Sequence, residues 1–368
     1  MTARFLPCLL AFAACAAAAD PAPPACGEAD AIAFRGATLR VENDLFVNTD
    51  RNYTSGVSLT AISRDIPGEI RPACLPWPVR LHAALIDRFD PDFWRDGGAL
   101  RSQNLAVRAG QAMYTPGDGR RSNLVGDDRP YAGLLYVGLA WNRRALDRWR
   151  GIETLDTREV TLGVIGPLSF ARQAQDLIHD LRGFERHRGW RHQLRTEPAL
   201  QVARERKYRD YAGPFAATPG LSADSIRAWG LTLGNIQTSA HAAIEWRLGW
   251  NLPNDFGTYP IRPAAENRAP SPAASLGEAG RQPGVHLFAA LEGRVVAHDF
   301  SLDGNLLRDS HRVAREPLVL QAAFGIAAHA VIGGHPVRLA VMRVSRSREF
   351  AEQGRRHAFG SIALSVDF

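Results

Sequence analysis

The 368-residue chain is poor in three things: it has four cysteines, a single lysine (Lys207) among 44 basic residues, and few long apolar runs. After the first twenty residues no segment reaches the ~18 consecutive apolar residues of a spanning helix, which excludes a membrane protein built of helices. The near-absence of lysine leaves a net charge of +6 carried by arginine. Arginine matches phosphate through a planar fork, although a genome-wide codon bias explains most of these residues equally well. No arginine-rich aromatic module is present, so a nucleic-acid partner is not expected. Two of the cysteines, Cys8 and Cys15, fall in the opening stretch MTARFLPCLLAFAACAAAAD. One arginine, a short apolar core and a run of alanines make it a secretory signal peptide over residues 1–19. A lipoprotein signal headed by Cys15 is the alternative, which Phe12 fits poorly. The mature chain, 20–368, then keeps Cys26 and Cys74. In an exported protein such a pair predicts one disulfide, two separate thiols being the other reading.

What is present is alternation. In the C-terminal HAFGSIALSVDF, residues Ile362, Leu364, Val366 and Phe368 point one way, and Ser361, Ala363, Ser365 and Asp367 the other. In HAAIEWRLGW, the apolar set Ala242 to Trp250 opposes His241, Glu245 and Arg247. In VHLFAALEGRVVAH, the apolar Val285, Leu287, Leu291 and Val295 oppose His286, Glu292, Arg294 and His298. Apolar residues outside and charged ones inside are the period-two pattern of a transmembrane β-barrel. In YAGLLYVGLAW the same pattern puts Tyr131 and Trp141 on the apolar face, as interfacial girdle residues. The expected fold is all-β: one antiparallel barrel of about twelve strands, near 36–47, 53–64, 104–115, 131–142, 154–166, 196–208, 225–236, 240–250, 285–299, 315–331, 336–346 and 357–368. The Pro-rich pieces around Pro67–Pro78 and Pro253–Ser275 read as connections. ARQAQDLIHDLRGF, 171–184, breaks the alternation and predicts a short helix capped near Gly183.

If the first strand starts in the periplasm, parity makes 48–52, 116–130 and 167–195 extracellular and 251–284 a long periplasmic loop. Asn43, Asp44, Thr54, Asp127, Asp128, Arg129, His179 and Glu185 then gather at one rim. Imidazole, carboxylates and a hydroxyl there can bind a hard cation and activate water. Each also has a plain reading: Asn-Asp and Asp50 beside a turn as turn chemistry, Asp-Asp-Arg as a surface ion pair, and His179 as a solvated helix residue.

The ordered motifs VENDLF…TDRNYTSG, QAMYTP, DDRPYAGLLY, LGVIGPLSFARQAQDLIH, GWRHQLRTEP, LGWNLPNDFG and LDGN, followed by the terminal strand, resemble the outer-membrane lipid A 3′-O-deacylase family from about Leu39 to Phe368. The resemblance implies a twelve-stranded barrel in the outer membrane, with its active site facing outward. It implies calcium-dependent hydrolysis of the 3′-linked acyloxyacyl ester of lipid A by a carboxylic ester hydrolase acting as a monomer, with lipopolysaccharide and outer-membrane lipids as its partners. Carried over residue by residue, it assigns His179 as the base that activates water, Asp44, Glu185 and Thr54 as calcium neighbours, and Asn43 to the oxyanion. The family's lysine in the second extracellular loop falls at Arg121, or else Arg120. That is a departure in shape and donors. The rivals are a serine phospholipase, for which no G-x-S-x-G motif is present, a channel, and a related barrel that has lost catalysis. Extra residues near 65–103 and 251–284 receive no role from the resemblance.

Overall fold

The computed structural model describes residues 32–44, 52–66, 74–95, 99–147, 149–214, 218–260, 270, 282–354 and 356–368. Twelve antiparallel strands close a barrel in which every strand pairs with its sequence neighbour and the first pairs with the last. They are β1 (Phe34–Asn43), β2 (Asn52–Ser63), β3 (Ala99–Thr115), β4 (Ala132–Asp147), β5 (Ile152–Ile165) and β6 (Glu197–Pro214), then β7 (Leu221–Gly234), β8 (Gln237–Trp250), β9 (Gly284–Asp299), β10 (Leu318–Ile332), β11 (His335–Arg346) and β12 (His357–Asp367). The closing seam runs from Gly36↔Asp367 to Asn43↔Gly360. No helix is long and apolar enough to cross a membrane.

The alternation sorts as expected. Leu248, Leu287, Leu291, Val295, Phe324, Ile326 and Leu364 are exposed on the outer wall, while Arg40, His241, Glu245, Arg247 and Glu292 are buried in the lumen. Tyr131 and Trp141 are the corrections. They share the outward parity of Leu135 and Val137, yet both are almost fully buried. Helices laid on the outside of the wall cover them, so neither belongs to an interfacial girdle.

Two of those helices lie in the 65–103 stretch: α1 (Trp77–Phe89) and α2 (Asp92–Arg95). The prolines hid them, although Pro78 sits in the first turn of α1, where its missing N–H costs nothing. Cys74, just before α1, is disulfide-bonded. Its partner lies outside the described residues, as do the signal peptide and Asp50. Val79, Ala83 and Ile86 of α1 and Phe93 of α2 pack with Leu105 of β3 and Trp141 of β4.

The described start of the other insertion turns inward. Residues 251–260 fold back into the lumen, where Phe256 packs on Leu155 and the Tyr259 hydroxyl donates to Glu292 Oε2 at 2.6 Å. Asp255 accepts from Arg247 and from Arg338, each at 2.5 Å. Behind it, the buried Asp224 carboxylate accepts from Arg209 Nε at 2.7 Å and from Arg247 Nε at 2.8 Å. This network fills the periplasmic half of the lumen with paired charge. Removing one member strands the others in a dry interior, so Asp224→Ala is expected to cost about 3–5 kcal/mol, read as a lowered unfolding midpoint in detergent.

Candidate active site at the outer rim

With the start of β1 and the end of β12 in the periplasm, the opposite end carries residue 44 and the stretches 116–131, 166–196, 235–236, 300–317 and 347–354. Asn43 closes β1, and Asp44, fully buried, follows it. Thr54 lies in β2 at a register shift between Tyr53 and Ser55. The VEND and YTSG motifs meet here: the buried Tyr53 hydroxyl donates to Glu42 Oε2 at 2.7 Å. Register carries this end towards the next element, because Asn43 pairs with Ser55 and Ser55 with Met113 of β3. Two strand spacings, about 10 Å, therefore separate Asn43 from Met113.

Met113 lies under α3 (Ala171–Arg182), the predicted helix, in a cluster with Tyr131, Ala171 and Trp190. A short 3-10 turn over Pro167–Ser169 leads into α3. The helix can reach the wall because Gly133 of β4 has no side chain. A Cβ there would stand 2.2 Å from Ser169 Oγ and 2.4 Å from Ala171 Cβ. The helix ends as predicted, with Gly183 at φ 69°.

The face of α3 turned to the barrel buries Ala171, Gln175 and His179, one residue in four. His179 Nδ1 lies 2.7 Å from the backbone oxygen of Glu185. A carbonyl only accepts, so Nδ1 carries the proton and Nε2 of the neutral ring is the basic nitrogen. Glu185 thus orients the imidazole through its main chain, while its carboxylate accepts from Arg188 at 2.7 Å in an exposed pair. Sequence reasoning missed Gln175, His187 and Trp190. The His187 ring meets that of His179 edge-on at 5.2 Å, and Gln175 Oε1 accepts from Trp190 Nε1 at 2.6 Å. The available signals were a second histidine eight residues after His179, and Gln175 one helical turn before it.

The second extracellular loop is pinned to this region. Arg188 N donates to Gly119 O at 2.8 Å, and His192 Nε2 lies 3.2 Å from Ser122 O. Arg120 and Arg121 stand exposed between those two anchors. The Asp-Asp-Arg triplet divides. Asp128 accepts from Gly117 N and Arg129 N, each at 2.7 Å, which is loop chemistry, and Asp127 is exposed. Arg129 is not at the surface: its guanidinium is buried, donating to Glu349 Oε2 at 2.9 Å. Glu349 also accepts from Arg346 at 2.8 Å. Burial raises the Glu349 pKa, but Arg346, Arg129 and His357 together outweigh it and bring the value down to about 2.

Among the described residues no three His, Cys, Asp or Glu side chains form a metal-ligating cluster. The end of β1 carries Asn43 and Asp44 and the start of β2 carries Thr54; oxygen-bearing residue types of this kind suit a hard cation such as calcium.

A closed barrel with an apolar outer wall, a charged lumen and a helix clamped over a histidine at the rim defines an outer-membrane β-barrel with a surface-exposed site. The family model described as outer membrane protein LpxR matches residues 5–368, and the chain belongs to that family, the lipid A deacylases of the outer membrane. No curated protein matches the sequence. Among solved structures, LpxR from Salmonella typhimurium superposes with a TM-score of 0.63 at 16% identity, covering 90% of this chain and 100% of that one. The translocator domain of the autotransporter NalP from Neisseria meningitidis gives 0.37 at 8% identity, over 91% of this chain and 87% of that one.

Two outcomes follow from this geometry. Gly133→Val should lift α3 off the wall, read as faster proteolysis within 166–196, while the barrel keeps its heat-modifiable mobility on gels. The folded value of Glu349 lies below its ordinary ~4.3. Its stabilisation is therefore complete above that pH and is lost as pH falls towards about 2. Acid titration of the unfolding midpoint should show that loss, and Glu349→Gln should reduce it.

Proposed function

We propose that this protein hydrolyses the 3′-linked acyloxyacyl ester of lipid A at the outer rim, with water as nucleophile and no acyl-enzyme. The observation that carries the reading is the buried His179, its Nδ1 held at 2.7 Å by the Glu185 carbonyl so that Nε2 is the base. His179 takes a proton from water as the oxygen attacks the ester carbonyl. Such a positioned base contributes roughly 10²–10⁴-fold in rate. The Asn43 amide and the Arg121 guanidinium donate towards the developing oxyanion, each such donor supplying about 3–4 kcal/mol. Asp44, Glu185 and Thr54 are the residues that would hold calcium, Glu185 exchanging Arg188 for the ion. Bound calcium supplies a Lewis acid that polarises the ester carbonyl.

The placement of α3 suits a substrate that is half lipid. Its outer side exposes Leu177 and Leu181, with Phe184 beyond the cap, so acyl chains can remain in the membrane while the ester reaches the histidine. Exposed arginines of the 116–131 loop stand on the headgroup side, where they can pair with lipid A phosphates. The protein acts as a monomer in this scheme.

Membranes carrying the protein, incubated with lipid A and analysed by mass spectrometry, should lose the 3′ acyloxyacyl group. His179→Ala should lower the rate by ~10²-fold or more, and excess chelator should abolish it. Full activity in either case would sink the mechanism. Release of lysophospholipid from phosphatidylethanolamine would point to a phospholipase, and conductance without lipid turnover to a channel.

A further inference from the structure

The apolar belt of the outer wall is uneven. On β8 the outward positions Ala242, Ile244, Trp246, Leu248 and Trp250 are all apolar, and β9 and β10 carry similar rows. On β4, β5 and β6 the belt stops halfway down. The row Val107–Leu139–Val160–Val202 is apolar. The next outward row towards the periplasm is Leu105–Trp141–Arg158–Arg204, and the one after it Gln103–Arg143–Asp156–Arg206. Arginine and aspartate facing hydrocarbon are strongly disfavoured, so this wall cannot itself face lipid at that depth.

The α1–α2 segment covers it. Arg158 Nε donates to Asp90 Oδ2 at 2.5 Å, and Arg204 to Asp90 Oδ1 at 3.3 Å. The guanidinium of Arg158 lies 4.7 Å from the Phe93 ring centre and that of Arg143 5.0 Å from it. Trp94 meets Trp141 edge-on at 5.1 Å. The polar outer wall is thereby paired and roofed.

The helix on top has three faces. Val79, His82, Ala83 and Ile86 are buried against the barrel. Trp77, Leu81, Leu85 and Phe89, four residues apart, form an outward stripe, with Trp77 69% and Phe89 77% exposed. On the remaining flank lie the exposed Arg80 and Asp87, and Arg88 stands 5.6 Å from the Phe89 ring centre. An aromatic-ended apolar face beside an arginine-bearing flank is the composition of a helix lying in a bilayer interface. Here it continues, at the same level, the belt that β4–β6 abandon.

We propose that α1–α2 is an interfacial membrane element seated in the periplasmic leaflet. Trp77, Leu81, Leu85 and Phe89 contact phospholipid acyl chains, and Arg80 and Arg88 reach the headgroup phosphates. The segment replaces the missing lipid-facing surface of β4–β6. It is independent of the catalytic reading, because it lies at the opposite end of the barrel from His179.

The full-length protein, with the disulfide at Cys74 left oxidised, is reconstituted into vesicles of phosphatidylethanolamine and phosphatidylglycerol. A nitroxide is placed at Leu85→Cys, at Trp77→Cys or at Asp87→Cys, and Leu287→Cys on the bare belt serves as reference. Collision rates with oxygen and with a water-soluble nickel chelate are then compared. Labels at 85 and 77 are expected to favour oxygen several-fold over nickel, like the label at 287, while the label at 87 favours nickel. Nickel access at 85 and 77 equal to that at 87 would place the stripe in water and overturn the proposal. Shielding from both reagents would overturn it in favour of a protein partner, and spin–spin broadening in favour of a second copy.

Discussion

The structure depends on one constraint: backbone hydrogen bonds must be satisfied where no water is available. Pairing β1 with β12 satisfies them without leaving an edge. Closure then forces the side chains of every strand into two populations, one against lipid and one in the lumen. The two populations of side chains and the common location of the start of β1 and the end of β12 at one end follow from that closure and from an even number of strands.

Closure also decides where a site can be. The lumen is filled at the periplasmic end by residues 251–260 and by ion pairs around Asp224 and Asp255. The lipid site proposed for this protein lies instead on the outside, at the level where acyl chains end and headgroups begin. A helix clamped to the wall through the Gly133 gap supplies that place, with His179 between helix and barrel. The same device, a helix on the outer wall, recurs at the other end in α1. There it covers arginines rather than a histidine.

Much of this was legible as period-two alternation. All twelve strands, the helix after Ile-Gly-Pro with its cap at Gly183, and the inward set on β8 and β9 could be read directly, because residues on one strand need no partner to declare their face. Tyr131 and Trp141 could not be read that way. Parity correctly made them outward, but only a segment distant in sequence buries them. Arg129 looked like a surface charge and is buried beside Glu349, more than two hundred residues away. The contact of the Glu185 carbonyl with the His179 imidazole could not be read either, since no side-chain pattern announces a main-chain contact. α1 was masked by prolines that lie at and just before its start.

Sequence alone determined the class of fold, the faces of the strands and the residue types available at the rim, since these rest on local periodicity and on motifs within single elements. Tertiary structure decided which outward residues are covered, which nitrogen of His179 faces the Glu185 carbonyl and how the lumen is filled. Each of these depends on contacts between segments far apart in the chain, and local pattern carries no information about such contacts.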